Sequence, residues 1–173
     1  MSRISWNEYF MSVVDAISKR STCNRGKPGC VFVKDNQILT TGYAGSPPKF
    51  EHCDTVGHDI EIRFRVNPET EINSKLFEYV CVENRYSAHC VRTIHAEQNA
   101  ILQAARRGIA LEGSICYVSM TPCRTCAMSL ISLGVKEVIA GNFYKNAQES
   151  LDMLKKANIP ITHLDHTVQQ YVL

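Results

Sequence analysis

The stretch SICYVSMTPCRTCAMSLISLGVKEVIA, residues 114–140, reads as strand, helix, strand. Ser114 to Ser119 is rich in strand-forming residues, Cys123 to Leu133 has helical spacing and is stopped by Gly134, and Val135 to Ala140, with Val135, Val138 and Ile139, reads again as a strand. A strand that returns through a helix to a second strand needs a crossover, so this unit predicts partly parallel pairing. Cys123 and Cys126 stand three apart at the start of the helix. Residues at that spacing share a helix face, and the positive end of the helix dipole favours thiolate there.

Working outward, Ala96, Ala100, Ile101 and Ala104 mark a helix from about Thr93 to Arg107, closed by Gly108. Beyond residue 140, Gln148 to Ala157 reads as a helix and Ile159 to Leu164 as a strand. Near the start, Trp6, Tyr9, Phe10, Val13, Val14 and Ile17 fall at helical spacing within Ser5 to Lys19. Gly29 to Lys34 and Gln37 to Gly42 flank Asp35-Asn36, a hairpin signal. Gly42 to Pro48 is a loop by composition. From about Glu51 to Arg92 the pattern weakens, and Glu61 to Glu83 is charged with little periodicity. An irregular insertion at about 54–90 with one short helix is expected, inside a single domain of residues 1–173.

The bulk numbers narrow the classes. The chain has 173 residues, 45% hydrophobic and 21% charged, an ordinary globular balance. Its formal charge is +2. A binder of long nucleic acid usually carries a strong basic excess, so that partner is not expected. No stretch approaches the roughly 18 apolar residues of a membrane span, and no export signal is evident at the start. A cytoplasmic location follows as an expectation. The eight cysteines then read as thiols available to metal rather than as disulfides.

Two short segments carry the chemistry: His95-Ala96-Glu97 and Pro122-Cys123-Arg124-Thr125-Cys126. One imidazole and two thiolates make three zinc ligands, the usual protein contribution to a catalytic site, leaving a fourth position for water. Zinc can lower the pKa of such a water to about 7. Glu97 is then available as a proton carrier beside that position. The full pattern H-x-E…P-C-x-x-C is that of zinc deaminases acting on nucleobases. A purely structural zinc would need a fourth nearby ligand, for which only Cys116 is at hand.

At these motifs the chain resembles the cytidine deaminase superfamily, and within it the deoxycytidylate (dCMP) deaminases. The resemblance extends to Arg20-Ser-Thr-Cys-Asn-Arg25, Gly42-Tyr-Ala-Gly-Ser-Pro47, Glu51-His-Cys-Asp54 and His89-Cys-Val-Arg-Thr-Ile-His-Ala-Glu97. It implies a three-layer α/β/α fold on a mixed five-stranded sheet, catalytic zinc on His95, Cys123 and Cys126, and Glu97 as proton shuttle. Tyr144 matches a family tyrosine that touches substrate, and Ala44 and Gly45 lie in a substrate loop. The family loop usually reads Gly-Tyr-Asn-Gly, so Ala44 replaces an asparagine that helps hold the nucleotide. Activity on dCTP as well as dCMP therefore stays open.

The resemblance also implies a second, structural zinc on positions such as Cys23, Cys53, His58 and Cys90, with His52 and His89 as alternatives. Family members are typically homohexamers, activated by dCTP and inhibited by dTTP. Arg106 matches an arginine near subunit interfaces, and Arg20, Arg25 and Lys27 lie near the expected effector loop. Two other readings compete. A tRNA or single-stranded DNA deaminase would share the metal box but needs a basic channel and stacking platforms. A structural zinc module would make Glu97 dispensable.

Overall fold

The computed structural model describes residues 3–64, 86–145 and 147–169. Helix α1 (Trp6–Ser18) starts at a capping box: the Ser5 hydroxyl accepts the Glu8 N–H at 3.2 Å, and the Glu8 carboxylate accepts the Ser5 N–H at 2.8 Å. Strands β1 (Gly29–Lys34) and β2 (Gln37–Tyr43) form the expected hairpin. Asp35 and Asn36 both take left-handed φ, 51° and 59°, the backbone that matches strand twist in a two-residue turn. Short polar side chains reach that region at low cost.

Next come α2 (Cys53–Val56), β3 (Ile60–Phe64), β4 (Tyr86–Cys90) and α3 (Ala96–Arg107). Then β5 (Ile115–Met120), α4 (Arg124–Ser132), β6 (Glu137–Tyr144), α5 (Gln148–Lys156), β7 (Ile161–His163) and β8 (Val168–Gln169) follow. The main sheet runs β2-β1-β5-β6-β7, with β8 also paired to β6. β1 is antiparallel to both β2 and β5, while β5, β6, β7 and β8 are parallel where they pair. The sheet is mixed, as expected, and the crossover helix α4 links its parallel pair.

Alternation in β1 explains the three layers. Cys30 and Phe32 join Cys116, Val118, Val138 and Ala140 beneath α3 and α4. Val31 and Val33 face the other way, onto Phe10 and Val14 of α1. A strand covered on both faces reads as a continuous apolar run, and GCVFV is one. α3 seats closely on β2: a Cβ at Gly42 would lie 2.2 Å from the Ala96 carbonyl oxygen. Only glycine allows that approach. Gly108, at φ 65°, ends α3 in the left-handed region.

Two readings need correction. The insertion is not simply irregular around one short helix. α2 is present, but β3 and β4 also pair as an antiparallel ribbon, Ile60 opposite Cys90. Ile60 and Ile62 carry the period-2 signal, but their partner strand lies far along the chain. The part of the insertion at residues 65–85 falls outside the described residues. Strand β6 runs on to Tyr144 rather than ending near Ala140, because parallel partners continue beside it. Among the described residues, no helix is long and apolar enough to cross a membrane.

Candidate active site

The site stands at the ends of the central strands, where two helices begin. His95 is the N-cap of α3 and Cys123 the N-cap of α4, with Cys126 in that helix's first turn. The His95 backbone N–H donates to Gln98 Oε1 at 3.2 Å, which fixes the start of α3. Just before it, Ile94 and Gly45 exchange backbone hydrogen bonds of 3.0 and 3.2 Å, tying the Gly42–Pro48 loop to the histidine.

His95 Nδ1 lies 3.4 Å from Cys123 Sγ and 3.5 Å from Cys126 Sγ. Ligand atoms about 2.3 Å (sulfur) and 2.0–2.1 Å (nitrogen) from one tetrahedral zinc sit roughly 3.5 Å apart, so the donor set fits that ion. Among the described residues this group has three members, and Cys116 is not a fourth. Cys116 is instead in the core beneath α3 and α4, its Sγ 3.6 Å from that of Cys30.

Contacts among the three groups shift their proton affinities. The hydrogen bond from Cys126, aided by His95, holds the Cys123 thiol down to about 3. The contact with Cys123 pushes His95 up to about 9, and the same neighbour, with burial, drives Cys126 well above its ordinary value. A dication held here would displace protons from His95 and Cys126. Glu97 is 5% exposed, and burial, then Cys123, raise its carboxyl above the usual range. A buried carboxyl of that kind can carry a proton near neutral pH.

The cavity over these groups is lined by Ala44, Thr121 and Tyr144, together with Arg25, His89 and Thr93. Two expected substrate residues, Tyr144 and Ala44, are thus present. Gly45 instead faces a neighbouring cleft of about 380 Å³ with His52, Asn99 and Arg107. Of the basic residues grouped by sequence, Arg25 alone lines the active cavity. Lys27 lines a separate cavity of about 460 Å³ with Asp15 and Asp165, and Arg20 and Arg106 are exposed elsewhere. Sequence reasoning missed Thr121, which reads as an ordinary strand-end threonine, and left Arg25 to an effector role.

A second group stands beside the first. The ligand atoms of Cys23, Cys53, His58 and Cys90 all lie within 4.8 Å of one another. Cys23 Sγ is 3.7 Å from His58 Nδ1, and the Cys53 and Cys90 sulfurs are 3.5 Å apart. These are the four positions singled out in the sequence; His52 and His89 are not among them. Burial and the neighbouring thiols push Cys53 up to about 12. Cys90 is also pushed up by burial, but hydrogen bonds from the Asp59 backbone and His58 outweigh that and hold it at about 6. Cys23 and Cys90 also border the active cavity.

Comparison with known proteins places the chain. Residues 4–142 match the cytidine and deoxycytidylate deaminase zinc-binding region. ComE operon protein 2 of Bacillus subtilis is 32% identical over 165 residues, 95% of this chain and 74% of that one. The deoxycytidylate deaminase of Enterobacteria phage T2 is 32% identical over 167 residues, 87% of this chain and 88% of that one. The chain spans less than half the length of two yeast deoxycytidylate deaminases that it also matches. A dCMP deaminase from cyanophage S-TIM5, solved with dCMP and dUMP, shares the fold with a TM-score of 0.67 at 23% identity, over 95% of this chain and 100% of that one. Three donors spaced for zinc, a buried carboxyl beside them and a match over most of the chain lead to one conclusion: the chain belongs to the cytidine and deoxycytidylate deaminase family and is a hydrolytic deaminase.

Proposed function

We propose that the chain hydrolyses dCMP to dUMP and ammonia, with zinc held by His95, Cys123 and Cys126 and with Glu97 as the catalytic proton carrier. The observation that carries this reading is the three-donor cluster with the buried Glu97 carboxyl next to it. When bound, zinc would activate a water for attack on the ring carbon that bears the amino group. Glu97 takes the proton that this water gives up. It passes that proton to the ring nitrogen, then takes the second proton from the hydroxyl now on the attacked carbon and hands it to the amine, so that the carbon–nitrogen bond breaks, the carbonyl forms and ammonia leaves as a neutral molecule. Tyr144 and Ala44 form the wall against which the base and sugar would rest. Arg25 lines the same cavity and brings a cation suited to the nucleotide phosphate.

The second cluster suits a structural zinc, with three thiolates and one imidazole closing a tetrahedral set. Deamination of dCTP, activation by dCTP, inhibition by dTTP, a homohexameric state and a cytoplasmic location extend this reading by family likeness. The test is direct. Purified protein is incubated separately with dCMP, dCTP, CMP and deoxycytidine, and loss of cytosine absorbance is followed with and without dCTP or dTTP. Conversion of dCMP is expected. No turnover of dCMP by zinc-loaded protein would overturn the assignment.

A further inference from the structure

We propose that His163, on β7, is a positioning residue for the active-site wall, acting through the buried hydroxyl of Thr121. The inference rests on the deaminase reading, because it concerns the same cavity.

Thr121 immediately precedes Pro122 and Cys123, lines the cavity and is 1% exposed. Its Oγ1 lies 2.9 Å from His163 Nε2, 3.4 Å from the Asn142 carbonyl oxygen and 3.3 Å from the Tyr144 backbone nitrogen, which donates to it. A hydroxyl offers one proton and two lone pairs. Tyr144 N–H uses one lone pair. The proton then goes to Asn142 or to His163, and in the first case the remaining lone pair accepts from Nε2–H. Under either tautomer His163 completes the set, and its 2.9 Å contact is the shortest of the three.

The imidazole is itself held. Its ring stacks on Phe143 with centroids 3.7 Å apart and planes 10° from parallel. Phe143 precedes Tyr144 on β6, so His163 grips this strand by its ring face and the end of β5 by its nitrogen. Those two strand ends carry Cys123 and Tyr144 toward the cavity. Loosening the strut would shift the wall while leaving the zinc donors on their helix N-termini. A misplacement of about 1 Å near a reacting centre can cost roughly a hundredfold, so a smaller shift of the wall is expected to cost roughly tenfold.

The variants are Thr121→Val, Thr121→Ser, His163→Phe, His163→Gln and the Thr121→Val/His163→Phe double. Phe at 163 keeps the stack and loses the nitrogen; Gln restores a polar atom near the Nε2 position. For Thr121→Val and His163→Phe we expect KM for dCMP to rise roughly tenfold, with kcat within about twofold and zinc content unchanged. Thr121→Ser and His163→Gln should recover most of the loss, and the double should be no worse than either single. Independently of substrate, exchange of the Tyr144 amide, followed by NMR, should quicken in Thr121→Val and His163→Phe but not in Thr121→Ser. Additive losses, no rescue, or a Tyr144 amide indifferent to His163→Phe would each overturn the inference. If the unaltered protein fails to turn over dCMP, the functional reading falls, while the amide measurement still decides this one.

Discussion

The two donor clusters are neighbours built in different ways. His95, Cys123 and Cys126 come from helix N-termini that rest on the central sheet, above a core of Phe32, Val118, Leu130 and Val138. Cys23, Cys53, His58 and Cys90 come from a loop, a four-residue helix, a second loop and the end of a two-stranded ribbon. Around them the buried apolar set, among the described residues, is Cys23, Ala44 and Cys53, with Cys90 packed against it. An isolated two-stranded ribbon is marginal in water. The first cluster is therefore organised by the fold, whereas the second, were it to hold a zinc, would organise the segment around it.

The largest effect expected from this contrast is chemical. Glu97→Gln keeps the shape of the buried site and removes the proton carrier, so kcat should fall by roughly 10²–10⁴ with metal content unchanged, read by steady-state assay and metal analysis. Turnover near the unaltered rate would return the first cluster to a structural role. Next in size is the pair Cys123→Ser and Cys53→Ser. Each should cost about one zinc equivalent. The first should abolish turnover while leaving amide protection in β3 and β4 intact. The second should speed exchange across that ribbon and leave α3 protected. Identical exchange maps for the two variants would erase the distinction.

Gly42→Ala comes third, because it disturbs the seat of α3 without touching a donor. A methyl group 2.2 Å from the Ala96 carbonyl oxygen forces α3 off β2, and overpacking of this kind costs about 1–3 kcal/mol. The melting temperature should fall by several degrees and turnover by more, since His95 moves with α3. Smallest is Ser5→Ala, remote from both clusters, which removes one cap at about 1 kcal/mol and should lower the melting temperature by roughly 2–4 °C. Turnover at a temperature well below melting should not change.

Much of the first cluster was legible because its signals are local. The Asp35-Asn36 turn, the spacing of Cys123 and Cys126, and the stops at Gly108 and Gly134 all act within a few residues. What escaped depends on distant partners. Ile60 meets Cys90 with a long charged stretch between them, so no short-range hairpin signal announces the pairing. The expected strand stopped at Ala140, just before Gly141. In the structure Gly141 sits where a Cβ would come 2.6 Å from the Ser119 carbonyl oxygen, so glycine there serves a close parallel pairing and β6 continues. Thr121 and His163 are commonplace in sequence and meet only through the sheet.

The Asp35-Asn36 turn has a practical consequence. Residues 34–38 are exposed, and the opposite end of the same hairpin, at Pro28 and Ala44, borders the active cavity. Six residues of strand at about 3.3 Å each put roughly 20 Å between the tip and the cavity mouth. A dye, an affinity handle or a short peptide grafted at this tip would report on the molecule from outside the reach of its chemistry.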